Sequence, residues 1–216
     1  MALRNLGADY ETWRVVEFDK YAIASYNAIH GTDFPTIDIN DVKGIDLGIE
    51  DKERFTYLLT YSFPCTDISV AGRQEGMAED SKTRSSLLWQ VRRILKECKD
   101  NLPQILLMEN VPAIHNEQNK ADFRKWLDFL ESLGYTSFVQ DLNAWDYGIP
   151  QSRERTFVVS LLGEYTYHFP EMIENLKWCI EDFYEDLTEE QALQLVVKSE
   201  KAHDLLVKLD DEGKLE

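Results

Sequence analysis

Ile105-Leu-Leu-Met-Glu-Asn-Val111 is the stretch on which the fold turns. It is introduced by Pro103, stays wholly apolar through Met108, and then breaks into an acid and an amide. A short continuous apolar run bounded by a proline reads as a strand covered on both faces. The covers are legible on either side. Leu87, Leu88, Val91, Ile94, Leu95 and Cys98 form a helical stripe before it. Phe123, Trp126, Leu127, Leu130 and Leu133 form another after it, closed by Gly134. Further out, residues 55–62 read as a second buried strand ending at Pro64. Residues 136–142 and 156–162 read as two more, joined by a loop around Tyr147-Gly-Ile-Pro150. Near the start, Trp13-Arg-Val-Val-Glu-Phe18 reads as a short strand. A helix follows over 21–30, with Ala22, Tyr26 and Ile29 on one face and Gly31 as its stop. Strand and helix alternating in this way predict a parallel, helix-flanked α/β sheet. The last two strands, joined by a loop, are the pair open to antiparallel pairing.

Charge divides the 216 residues unevenly. The formal net charge is −17, with hydrophobic residues at 44% and charged residues at 29%. Beyond Pro170 the chain becomes acidic helix, with Glu181, Asp182, Glu185, Asp186, Glu189 and Glu190 and only lysines as cations. There Thr188 and Gln191 have capping-box spacing, and Leu193, Val196, Val197, Leu205, Leu206 and Leu209 are expected along one side. Two parts are therefore expected, a core over 1–170 and an acidic helical extension over 171–216. Residues 73–93 instead carry Arg73, Lys82, Arg84, Arg92 and Arg93. A chain that grips duplex DNA unaided is normally basic, because phosphate neutralisation supplies much of the affinity. This balance argues against a free-standing DNA binder. No run of about 18 apolar residues exists, so no membrane span is expected. Three sparse cysteines without metal-ligand spacing fit a reduced, cytoplasmic protein with no metal.

Ligand sites in open α/β sheets sit at the carboxyl ends of strands, and three loops here share that position. The first runs Pro64-Cys-Thr-Asp-Ile-Ser-Val-Ala-Gly72 after strand 55–62, within a long irregular segment over 63–82. A lone cysteine is usually a small core residue, and Cys98, on its helical stripe, reads that way. Cys65 differs: it follows a proline at a strand end, among small and polar residues with Arg73 nearby, where a reactive thiolate belongs. The second loop opens with Glu109-Asn110. A carboxylate ending an apolar strand must be paired, solvent-facing or functional, and burial would suit it to donating a proton near neutrality. The third is Gln151-Ser-Arg-Glu-Arg155, whose two arginines would point the same way from an extended chain. Taken singly they read as surface charge.

Together these motifs resemble the cytosine carbon-5 DNA methyltransferase family. Phe63-Pro-Cys-Thr-Asp-Ile-Ser-Val-Ala-Gly72, Leu107-Met-Glu-Asn-Val111 and Asp146-Tyr-Gly-Ile-Pro-Gln-Ser-Arg-Glu-Arg155 match its nucleophile, acid and arginine motifs in order, and the likeness spans residues 3–162. Thr66 departs from the glutamine most members carry. The resemblance implies a Rossmann-like methyltransferase sheet and methyl transfer from S-adenosylmethionine to cytosine. Cys65 would add to carbon-6 of the base, Glu109 would bind or protonate ring nitrogen-3, Arg153 would hold the exocyclic oxygen, and Arg155 would orient the loop or a phosphate. Such enzymes flip the base out of the duplex, and the loop over 66–82 would cover it. Glu17 would hold the cofactor's ribose and Asp41, with Asp38 as its competitor, the adenine amine. Pro64 and Leu87 would complete the cofactor pocket, while Ser69, Gly72, Asn110 and Gln151 would contact the substrate.

The resemblance also implies parts not found among these residues: an opening strand with a Phe-x-Gly-x-Gly turn, a target-recognition domain and a closing Gly-Asn motif. The expectation is therefore a catalytic-core portion, incomplete alone, whose DNA contacts come from a complementing subunit. Methylation of transfer RNA and a non-catalytic binding module are the alternatives.

Overall fold

The computed structural model describes residues 1–64, 87–98, 100–173, 180–196 and 198–213. The chain divides into two compact units, Met1–Glu174 and Asn175–Glu216. The first unit starts with a helical turn, α1 (Ala2–Asn5), and then α2 (Lys20–His30), which Asp19 caps by accepting the Tyr21 and Ala22 amides. Gly31 ends α2 at φ +67°, in the left-handed region where glycine carries no side-chain penalty. Next come β1 (Leu58–Tyr61), α3 (Leu88–Cys98), β2 (Ile105–Asn110), α4 (Lys120–Ser132), β3 (Tyr135–Asn143) and β4 (Glu154–Leu162).

These strands form one sheet in the order β1-β2-β4-β3. β1 and β2 run parallel with Thr60 beside Leu107, and α3 supplies the crossover a parallel pair requires. β4 lies antiparallel to both β2 and β3. The sheet is thus mixed, and one parallel pair is present among its described strands. The segment joining β3 to β4 contains a 3-10 turn, Ala144–Tyr147, and Gly148 at φ +88°. That linker carries no crossover helix, so the chain turns back on itself and pairs antiparallel.

The core lies where α3 and α4 meet the sheet. Leu88, Leu95, Leu106, Met108, Ile114, Trp126 and Leu130 are all fully buried there. Each large apolar side chain removed from water contributes about 1.5–3 kcal/mol. Along α3 the buried positions are Leu88, Trp89, Val91, Ile94, Leu95 and Cys98, the stripe read from the sequence with Trp89 added and without Leu87, which precedes the helix and is half-buried. On β1, Tyr61 packs edge-on to Trp126, their ring centroids 5.8 Å apart.

Two expectations fail near the start of the chain. Residues 13–18 form no strand: Trp13 and Phe18 are 62% and 70% exposed, and the backbone link is Ile37 N–H donating to Glu17 O at 2.8 Å. An extended segment becomes a strand only with a ladder of such bonds, and among the described residues this one has a single rung. On α2 the packed residue is Ile23, whereas Ala22 and Ile29 face solvent. The helix packs on its own following turn: Asn27 Oδ1 accepts from Thr32 Oγ1 and Phe34 N, and Tyr26 stacks on His30.

The second unit holds α5 (Glu189–Leu195) and α6 (Glu200–Asp211). Thr188 and Gln191 form the reciprocal capping box at α5. Leu193, Val196, Leu205 and Leu206 are exposed and Leu209 is half-buried, and α5 ends at Val196. Val197 lies outside the described residues. No described helix is long and apolar enough to cross a membrane.

Candidate active site

Strand direction decides where the site forms. β1 and β2 are parallel, so both carboxyl ends lie on one side of the sheet; β4 is antiparallel, so its amino end lies there too. Three segments converge: Ser62-Phe63-Pro64 leaving β1, Glu109-Asn110 ending β2, and Glu154-Arg155 opening β4.

Glu109 sits opposite Phe157 in the β2–β4 register. Arg155, two residues away on the same face of β4, reaches it diagonally. Arg155 Nε lies 3.0 Å from Glu109 Oε1 as an ion pair, with 23% and 35% of the two side chains exposed. Glu109 is therefore ion-paired and reached by solvent, not buried as a lone acid. Ser62 Oγ donates to the Glu109 carbonyl at 2.8 Å and comes within 3.4 Å of its Oε2. Arg155 Nη1 also donates to the Glu154 carbonyl at 2.7 Å.

Asn110 ties the two strand exits together. It is 2% exposed; its Nδ2 donates to the Phe63 carbonyl at 3.0 Å, and its Oδ1 accepts the Val111 N–H at 2.8 Å. Asn110 thereby fixes the backbone immediately before Pro64. Cys65, Ser69 and Gly72 lie outside the described residues, as does most of the loop expected over 63–82.

Arg153 is placed differently from Arg155. β4 begins at Glu154, so the alternation expected to align the two arginines does not reach Arg153. Asn143 Oδ1 accepts the Arg153 N–H at 2.9 Å, the Arg153 carbonyl accepts from Ala144 N–H, and the side chain is exposed. Arg155, not Arg153, meets the acid. Gln151 is exposed, its N–H donating to Ile149 O.

Behind this end of β4, Thr156 is fully buried and its Oγ1 donates to Asp141 Oδ1 at 2.5 Å. Asp141 also pairs with His115 Nε2 at 3.0 Å. Ser62, His115, Asp141 and Thr156 were not singled out in the sequence. Only Ser62 carried a signal there, as a polar residue at a strand exit two residues before a proline; the others meet through long-range register.

The residues expected to hold a cofactor gather near the start of the chain. The Ile37 N–H···Glu17 O bond ties the segment of Glu17 to the one leading into Asp41. Asp38 Oδ1 accepts from both Asn40 N and Asn40 Nδ2 at 2.8 Å, capping the 3-10 turn Ile39–Asp41. Asp38 is spent on the turn, whereas the exposed Asp41 carboxylate takes no hydrogen bond among the described residues. Glu17 Oε1 accepts the Asp19 N–H at 2.8 Å and keeps its second oxygen open. Open carboxylate oxygens accept hydroxyl and amine protons; Pro64 and Leu87 are both half-buried. Such acceptors fit the ribose hydroxyls and amine of an adenosine-bearing group.

The C-5 cytosine-specific DNA methylase family model matches residues 1–212. The chain is 47% identical over 133 residues to the type II methyltransferase M2.ScrFI of Lactococcus lactis subsp. cremoris, covering 61% of the chain and 36% of that protein. It is 49% identical over 109 residues to the orphan methyltransferase M.SssI of Spiroplasma monobiae, covering 50% and 28%. It spans about a third of the length of these curated relatives. Among solved structures, a Spodoptera frugiperda DNMT2 variant matches with a TM-score of 0.65 at 20% identity, over 88% of this chain and 56% of that one. The S. pombe Dnmt2 methyltransferase matches at 0.58 with 22% identity, over 77% and 46%. At these identities the structural likeness establishes a shared methyltransferase fold.

Proposed function

Because the chain belongs to the C-5 cytosine-specific DNA methylase family, we propose that it carries the catalytic centre for methyl transfer from S-adenosylmethionine to carbon-5 of a flipped-out cytosine in DNA. The observation that carries this reading is the Glu109–Arg155 ion pair, set where Asn110 holds the backbone leading into Cys65. Carbon-5 of cytosine is a weak nucleophile. Addition of the Cys65 thiolate at carbon-6 breaks the ring's aromaticity and makes carbon-5 enamine-like. Glu109, which solvent reaches, takes up a proton as the base binds, and so hydrogen-bonds ring nitrogen-3 and offers it that proton, so that no free anion builds up on the base. Arg155, already on Glu109, keeps that carboxylate in place and supplies positive charge beside the ring. Arg153, on the exposed turn before β4, is free to bind the exocyclic oxygen or a phosphate. When bound, S-adenosylmethionine supplies an electrophilic methyl group; Glu17 and Asp41 would hold its ribose and adenine, with Pro64 and Leu87 alongside. Ser69, Gly72 and Gln151 would contact the nucleic acid. Loss of the carbon-5 proton to solvent water, expulsion of the thiolate and return of the nitrogen-3 proton to Glu109 then restore the aromatic ring.

A net charge of −17 opposes unaided binding to duplex DNA. We therefore read the chain as working, in the cytoplasm, with a complementing subunit that brings the target-recognition contacts. Transfer of labelled methyl groups from S-adenosylmethionine to mixed-sequence DNA, with transfer RNA in parallel and a Cys65→Ser control, tests the activity. Counts in DNA that vanish with Cys65→Ser support it; counts confined to transfer RNA would move the substrate to RNA.

A further inference from the structure

Helix α3 grips the segment that carries Asp41, on both sides of that residue. Before it, Arg93 Nη2 donates to the Ile39 carbonyl at 3.1 Å. After it, the Gly44 N–H donates to Glu97 Oε2 at 2.9 Å. The two gripping side chains are themselves joined, Arg93 Nη1 to Glu97 Oε1 at 3.0 Å, and Gln90 Oε1 accepts the Arg93 Nε–H at 2.9 Å. Glu97 is held below its ordinary carboxylate range, chiefly by the Gly44 N–H and then by Arg93.

Gly44 approaches the helix backbone so closely that a Cβ there would lie 2.6 Å from Cys98 N and from Glu97 C. The Cys98 thiol donates weakly to the Gly44 carbonyl at 3.6 Å. Between the two grips, Val42 is 2% exposed in the core, while the Asp41 carboxylate stays in solvent. Fixing the backbone at Ile39, Val42 and Gly44 leaves Asp41 little freedom to move away.

We infer that Arg93 and Glu97 are positioning residues for cofactor binding, acting through the Asp41 segment they hold. The inference rests on the proposed role of Asp41. A guanidinium that donates at once to a carbonyl and a carboxylate uses the fork geometry only arginine has. The same helix starts beside Leu87, so α3 sets both the apolar and the acidic side of the cofactor site.

The test is calorimetric binding of S-adenosylhomocysteine to the full chain. Arg93→Ala and Glu97→Ala are each expected to weaken binding on the order of tenfold, through the lost charge-assisted bonds. Glu97→Gln, whose amide oxygen still accepts the Gly44 N–H but whose amide nitrogen cannot accept from Arg93, is expected to recover part of that loss. In a background carrying Asp41→Ala, Arg93→Ala is expected to have no further effect, because the two act through one contact. Additive losses from Arg93→Ala and Asp41→Ala, or unchanged binding in the single variants, would overturn the inference and leave the cofactor reading standing. No binding by the unchanged chain would overturn both.

Discussion

The Glu109 carboxylate pairs with the Arg155 guanidinium, Oε1 to Nε at 3.0 Å, diagonally across the β2–β4 ladder. If this pair serves the reaction and not the fold, activity and stability must separate. Glu109→Gln and Arg155→Lys are each expected to lower methyl transfer by about 10²-fold or more. The pair is partly solvent-exposed, so each change should cost no more than about 1 kcal/mol of stability. Labelled methyl transfer and urea unfolding of the same preparations check this.

Arg153 and Arg155 look equivalent in the sequence but occupy different surroundings. Arg153→Ala is expected to lose clearly less activity than Arg155→Ala, because its guanidinium makes no ion pair among the described residues. It is also expected to reduce the salt dependence of substrate binding if it contacts a phosphate. Equal losses with an unchanged salt slope would place Arg153 at the base.

Asn110 makes two bonds that its side chain alone supplies among the described residues. Asn110→Ala leaves the buried Phe63 carbonyl and the part-buried Val111 amide without their partner, at a cost of about 1–3 kcal/mol. Chemical denaturation gives the stability change. The accompanying loss of methyl transfer should exceed that of an equally destabilising core substitution such as Leu106→Val, since Asn110 also fixes the backbone before Cys65.

Burial pushes the Cys98 thiol up to about 11, with the nearby Glu97 charge adding to the effect. A group raised in the folded state contributes stability that is complete below its unfolded value, near 9, and lost as pH rises through 11. Unfolding free energy should therefore fall between these limits. The advantage of the unchanged protein over Cys98→Ala should narrow across the same window, as denaturation midpoints from pH 8 to 11 would show.

Much of the sheet and its covering helices was legible in the sequence because burial dictates their pattern. The apolar run at 105–108 and the stripe from Leu88 to Cys98 have no other arrangement that removes them from water. Capping chemistry was legible for the same local reason, at Gly31 and at Thr188 with Gln191. The failures were relational. Residues 13–18 have strand composition, but a strand exists only through its neighbours. Arg153 and Arg155 have strand spacing, but β4 starts between them. The partnership of Glu109 with Arg155 depends on β4 inserting beside β2, which no local pattern announces. Nor did any pattern announce that Asp38 would be taken by its own turn while Asp41 stayed open.

The central claim, that Cys65 adds to the cytosine ring, is tested most directly by covalent trapping. The chain, with S-adenosylmethionine, is incubated with DNA containing 5-fluorocytosine, whose carbon-5 cannot release a proton after methyl transfer. A denaturant-stable protein–DNA adduct is expected, with the modified peptide containing Cys65 and no adduct from Cys65→Ser. Absence of an adduct under conditions where the chain binds both cofactor and DNA, or an adduct that persists in Cys65→Ser, would contradict the account.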